Sequence, residues 1–191
     1  AMSVGVQADP EPQRNRFIRS DQYSFIREGV PALAMKVGYE DGSPEATIAA
    51  DQVQLYKLLS RQVAARMDMT ACFLPKPVTG VNGNGMHTNV SLARKGKNLF
   101  HDKKGQDGLT PLGWNFIERI LANANDICLF LNPSVNSYRR LDPHFEAPNQ
   151  IKASAIDRGS MVRIPLGNEK SARIEVRSIA PDANPYLAIY S

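Results

Sequence analysis

The segment Ser171–Ser178, SARIEVRS, concentrates the residues best suited to chemistry. It alternates strictly. Ala172, Ile174 and Val176 would share one face of a strand, and Arg173, Glu175 and Arg177 the other, because strand side chains alternate with a period of two. Two guanidinium forks then flank one carboxylate. That pattern suits either a solvated ion-pair ladder, which contributes little to stability, or a site that handles anions. Arg140, Arg158 and Arg163 lie upstream in the same C-terminal third. His87 follows the run Asn82-Gly83-Asn84-Gly85-Met86. Glycines let a backbone approach a ligand closely, and an imidazole at the start of a strand can bind a metal through one nitrogen. A lone histidine is as readily structural, and the arginines could equally be scattered over a solvated face. Hard divalent cations that bridge phosphates take carboxylates with an occasional imidazole, which makes Glu175 the natural second ligand. Arginines beside a metal carboxylate are what phosphoryl transfer requires, since forked donors neutralise charge on the moving group. Neither a GxxxxGK[ST] loop nor a GxGxxG turn is present in the sequence.

The elements that must position these residues follow from periodicity and punctuation. Polar residues and two prolines make 1–13 a loose arm. Residues 17–25 read as a short helix, and 29–37 as a turn and a buried strand. EDGSPE (40–45) marks a boundary. Asp51 can cap a helix to about Met67, with Val53, Tyr56, Leu59 and Val63 at helical spacing. Ala71–Leu74 reads as a strand closed by Pro75 and Pro77, Gly80–Gly85 as a loop, Thr88–Leu92 as a strand and Lys95–Lys97 as a turn. Thr110-Pro111 starts a helix to about Asp126, with Leu112, Phe116, Ile117, Ile120, Leu121 and Ala124 inward. Ser160–Ile164 and Ala172–Val176 are expected to pair antiparallel, joined by Gly167-Asn168. Pro181–Pro185 is a turn before a final helix.

Composition sets the frame. The 191 residues allow one ordinary domain with a real core. At 42% hydrophobic and 22% charged, the chain is globular in kind. No apolar run approaches the roughly 20 residues of a membrane helix, and the start has no signal-peptide pattern. Ala1-Met2 reads as a cloning remnant. Cys72 and Cys128 are expected to be buried thiols in a reducing cytoplasm. The net charge of +4 is mild, with the arginines bunched between Arg139 and Arg177, so a local anionic ligand is expected rather than nucleic acid or a membrane surface.

Five blocks carry a family resemblance: LPKPVTGVNGNGMHTNVSL (74–92), NPSVNSYRRLDPHFEAP (132–148), DRGSMVRIP (157–165), KSARIEVRS (170–178) and PDANPYLA (181–188). In this order they resemble the catalytic domain of bacterial type-I glutamine synthetase. The resemblance implies an α+β fold with an antiparallel sheet and flanking helices over about residues 47–191. It implies ligation of ammonia to glutamate, driven by ATP through a γ-glutamyl phosphate, with Mg²⁺ or Mn²⁺, in large homo-oligomeric rings. By position, His87 and Glu175 would bind the metal, and Asn82, Gly83, Arg140 and Arg177 glutamate. Glu146 would sit on a flap and assist with ammonium. Arg158 and Arg163 would face the γ- and β-phosphates, and Arg173 and Ser91 the nucleotide. Asn89 stands where many members carry a second histidine. A preceding β-grasp domain, two further carboxylate clusters and a C-terminal helical part of that family have no counterpart in this sequence, and Gly38 falls where one metal carboxylate is expected. Little synthesis is therefore expected from this chain alone.

Residues 14–38, RNRFIRSDQYSFIREGVPALAMKVG, resemble instead a C-terminal piece of a di-zinc aminopeptidase, with Gln22 at a zinc-histidine position. An amide is a poor zinc ligand, so an intact zinc peptidase is not expected. The reading for 14–46 is thus a fragment of a second enzyme, joined between about Gly38 and Ala50. The alternative to ligase function is a non-catalytic chimera that binds nucleotides or other anions through its arginines.

Overall fold

Helix α1, Glu45–Arg66, opens the part of the chain that the computed structural model describes, residues 45–191. The expected arm (1–13), the short helix and strand at 17–37 and the segment resembling an aminopeptidase up to residue 44 lie outside the described residues. Asp51 is inside α1 rather than capping it, and it accepts a hydrogen bond from the Tyr186 hydroxyl. The helix seats through Ala49, Ala50, Val53 and Lys57, one stripe at helical spacing. Leu59 and Val63, which repeat at helical spacing with Val53 and Tyr56, are exposed together with Leu55 and Leu58.

The segment 71–74, expected as a strand, makes no ladder. β1 (Thr88–Val90) follows the glycine loop. β2 (Ala93–Arg94) and β3 (Lys97–Asn98) form a two-stranded ribbon. Its turn has φ of 51° at Lys95 and 73° at Gly96, the left-handed pair that suits the twist of a tight hairpin. Helix α2 (Pro111–Ala122) starts as its sequence dictates: the Thr110 hydroxyl accepts from the Gly113 N–H at 3.2 Å, and Pro111 needs no donor partner there. It ends at Asn123, and a separate α3 (Ala124–Leu131) continues, so the single expected helix is two. Ile117, Ala124 and Leu131 are buried, whereas Leu112 is exposed.

A further helix, α4 (Val135–Arg140), has no counterpart in the sequence reading. Six residues are too few to show a period, and a capping box between Ser134 and Ser137 defines it instead. Strands β4 (Gln150–Ser154), β5 (Ser160–Arg163) and β6 (Ile174–Val176) join β1 in a sheet of order β1-β6-β5-β4. Helix α5 (Pro185–Tyr190), capped by Asn184, closes the described chain.

The architecture is α+β, and β1, β6 and β5 pair antiparallel as expected, with Val162 opposite Val176. The outer pair, β4 and β5, runs parallel. The link between them is what turns the chain back. The Ser154 hydroxyl accepts from the N–H groups of Ile156 and Asp157, and the Asp157 carboxylate accepts from Gly159. The apolar side of the sheet, with Val162, Ile174 and Val176, shares one core with Phe100, Leu109, Ile117, Leu131 and Ile179. Cys128 is half-buried and Cys72 is exposed, so the expectation of two buried thiols does not hold for Cys72. Among the described residues no helix is long and apolar enough to cross a membrane.

Candidate active site

Strand register builds the site. Asn89 lies opposite Glu175 across β1 and β6, and Glu175 lies opposite Arg163 across β6 and β5. The three side chains therefore form a row on the face away from the apolar core. The solvated ladder that alternation alone allowed is excluded here, because Glu175 and Arg177 are 8% and 4% exposed. Glu175 is ringed by donors. Its Oε1 lies 3.0 Å from His87 Nδ1 and 3.5 Å from Arg177 Nε, and its Oε2 accepts from Arg163 Nη1 at 2.9 Å. Burial alone would push this carboxyl up. The hydrogen bond of His87, with the charges of Arg163 and Arg177, outweighs it and holds the pKa at about 2.

His87 reaches this position because Met86 N–H bonds to the Ile179 carbonyl at 2.9 Å, docking the glycine loop beside the segment that follows β6. Arg140, the last residue of α4, places Nη2 3.2 Å from His87 Nε2 and donates to the Arg177 carbonyl at 2.9 Å. A guanidinium can only donate, so Nε2 accepts and Nδ1 carries the proton that faces Glu175. Gly85 makes this approach possible. A Cβ there would lie 2.5 Å from Arg140 Nη2 and 2.6 Å from His87 Nε2.

Arg177 then links this cluster to an open cleft of about 560 Å³. Its guanidinium donates to the Arg158 carbonyl, and Nη2 lies 3.5 Å from the Glu146 carbonyl. Arg158 in turn pairs with the Glu146 carboxylate, and both side chains line the cleft with Asn82. Arg173 donates to Asn89 Oδ1 at 2.8 Å and to the Ser171 carbonyl at 3.1 Å, at the exposed rim of the row. Ser91 is exposed just past β1. Thus His87, Arg140, Arg163, Glu175 and Arg177 come together, Asn82, Glu146 and Arg158 adjoin them, Arg173 marks the edge, and Ser91 stands apart.

One imidazole and one carboxylate suit a divalent ion that takes most of its ligands from phosphate and water. They do not make a self-sufficient cage, and among the described residues no group of three His, Cys, Asp or Glu side chains is placed to hold a metal.

The chain matches the family "Glutamine synthetase, catalytic domain" over residues 27–191. It belongs to that family. The glutamine synthetase of Staphylococcus aureus (strain MW2) is 43% identical over 145 residues, covering 76% of this chain and 32% of that protein. The glutamine synthetase of Staphylococcus epidermidis is 44% identical over the same length. A cryoEM structure of Plasmodium falciparum glutamine synthetase superposes with a TM-score of 0.71 at 30% identity, over 75% of this chain and 28% of that one. The chain spans about a third of the length of the curated glutamine synthetases it matches. The family match begins at residue 27 and so takes in residues 27–38 of the segment expected to have an aminopeptidase origin.

Several side chains shape this glutamine synthetase domain without having carried a role in the sequence reading. Asn136 brackets the Lys76 peptide: Lys76 N–H donates to Asn136 Oδ1 at 2.7 Å, and Asn136 Nδ2 donates to the Lys76 carbonyl at 3.0 Å. Asp182 accepts from the hydroxyls of Ser134 (2.6 Å) and Ser137 (3.0 Å). All five residues fall within the family-like blocks. They act on backbone or on one another, which residue type alone does not disclose.

Proposed function

We propose that this domain carries the glutamate and metal–nucleotide side of a glutamine synthetase site. The carrying observation is the buried Glu175 carboxylate, held ionised between His87, Arg163 and Arg177. In this reading His87 and Glu175 hold Mg²⁺ or Mn²⁺, which when bound draws charge from the ATP phosphates. Arg158 and Arg163 face the γ- and β-phosphates, and Arg173 and Ser91 serve the rest of the nucleotide. Asn82, Gly83, Arg140 and Arg177 bind glutamate.

The chemistry has two steps. An oxygen of the glutamate γ-carboxylate attacks the γ-phosphorus of ATP, and ADP leaves with the electron pair of the broken bond. Ammonium loses a proton towards Glu146, and the freed nitrogen attacks the γ-carbonyl carbon. Phosphate departs with the electrons of its C–O bond, and loss of one more proton leaves the amide. Arginine forks suit the first step because they stabilise charge on the moving phosphoryl group. Closure of the segment carrying Glu146 would exclude water from the acyl phosphate. The same proposal includes assembly into a homo-oligomeric ring, and slow turnover by this chain on its own, with only two metal donors among the described residues.

The test is formation of γ-glutamyl hydroxamate from glutamate and hydroxylamine with ATP and Mn²⁺. The expected result is a rate far below that of a full-length relative, abolished by Glu175→Ala. A rate that survives Glu175→Ala contradicts the assignment, and a rate equal to the full-length relative contradicts slow turnover.

A second reading takes the contacts of Arg163 with Glu175 and of Arg140 with His87 as structural, so that no metal binds between them. On that reading the chain is a non-catalytic chimera, its residues 14–38 derived from a di-zinc aminopeptidase, and its other arginines bind polyanions. ATP binding would then survive loss of both His87 and Glu175 and disappear with added salt.

A further inference from the structure

Lys76 and Asn136 stand behind the cleft rather than in it. The Asn136 amide satisfies both the N–H and the carbonyl of Lys76, as a ladder partner would. From this fixed peptide the Lys76 ammonium donates to the carbonyl of Val81, the residue before Asn82. It also lies 3.8 Å from the ring centroid of Phe145, the residue before Glu146. One side chain thus touches the neighbour of each of two cleft walls. The Lys76 peptide also follows Pro75, whose carbonyl accepts from the Asn84 N–H at 2.7 Å, which pins the far end of the same loop. Burial lowers the Lys76 pKa, and Asp142 works against that shift.

We propose that Asn136 and Lys76 are positioning residues that set the separation of Asn82 from Glu146 across the cleft. This rests on the function proposed above, in which those two walls serve glutamate and ammonium. Of the metal–nucleotide residues, Arg163, Arg173 and Glu175 are placed by strand register, and His87 by the Met86 N–H bond to the Ile179 carbonyl, and neither Asn136 nor Lys76 makes any of these contacts. Loss of the clamp should therefore weaken glutamate and spare the metal.

The experiment measures glutamate affinity by calorimetry in the presence of Mn²⁺ and ADP, and Mn²⁺ affinity separately by electron paramagnetic resonance, on the full chain. Asn136→Ala removes two hydrogen bonds and should weaken glutamate about ten-fold, with Mn²⁺ affinity within about two-fold of wild type. Lys76→Met keeps an unbranched side chain of similar length but loses the ammonium that lies over Phe145 and donates to Val81, and should act on glutamate in the same direction. Asn136→Asp keeps the acceptor for the Lys76 N–H and should recover part of the affinity. Unchanged glutamate affinity in Asn136→Ala overturns the proposal. Equal loss of both affinities in step with thermal stability also overturns it, since that is ordinary unfolding. Wild-type protein that binds Mn²⁺ and ADP but no glutamate removes the glutamate role itself, and this inference with it.

Discussion

His87 Nδ1 and Glu175 Oε1 are 3.0 Å apart, although 88 positions separate them in the chain. The contact joins the glycine loop to the central strand of the sheet. It also decides the charge state of the site. With Arg163 and Arg177 it keeps Glu175 ionised in a place where burial favours the neutral acid. The expected consequences follow from that arrangement and from the side chains that support it.

Stability should depend on pH through Glu175. Its folded pKa is about 2, against an ordinary value of 4.5, so the unfolded state binds the proton more readily. The contribution is fully present above about pH 4.5, and it is lost as pH falls towards 2. A shift of this size corresponds to roughly 3 kcal/mol. Urea titrations in metal-free buffer should show this loss in wild type. Glu175→Gln should flatten the dependence in that window.

Gly85→Ala should damage the site more than the fold. The added Cβ meets Arg140 Nη2 and His87 Nε2, so the pair must separate. Mn²⁺ affinity should fall at least about ten-fold, while the urea midpoint moves little. A variant that binds Mn²⁺ like wild type would show that the Arg140–His87 approach is dispensable.

Asp182→Ala should cost stability. It removes the acceptor of the Ser134 and Ser137 hydroxyls, and Ser137 is fully buried. About 2 kcal/mol is expected from the lost partners. Asp182→Asn, which can still accept one bond, should cost less. Equilibrium unfolding of the two variants checks the order.

Much of the site was legible before the fold. Alternation in SARIEVRS placed Glu175 between Arg173 and Arg177, and the β5–β6 pairing puts Arg163 where a neighbouring antiparallel strand should. The burial of Glu175 and Arg177 was not legible, because alternation does not say what covers the second face. The parallel run of β4 rests on the serine and aspartate bonds of a short link, below the reach of any period. Helix α4 was hidden for the same reason. Its six residues contribute Asn136, Ser137 and Arg140 to three different neighbours, so its sequence shows no single apolar stripe. Thr110-Pro111, by contrast, announced α2 through local chemistry alone.

Arg163→Gln offers a contrast with these losses. Its guanidinium occupies Glu175 Oε2 at 2.9 Å and is itself 39% exposed. Removing it frees that oxygen, so Mn²⁺ alone should bind tighter while ADP adds less to the affinity. Titrations with and without ADP would expose this opposite sign.

The proposed metal–nucleotide half-site rests on His87 and Glu175. Electron paramagnetic resonance of Mn²⁺ titrated into the chain with ADP, compared with Glu175→Ala, tests it most directly. Saturable, ADP-enhanced Mn²⁺ binding is expected in wild type and should be lost in the variant. Mn²⁺ binding of equal strength in both proteins would contradict it.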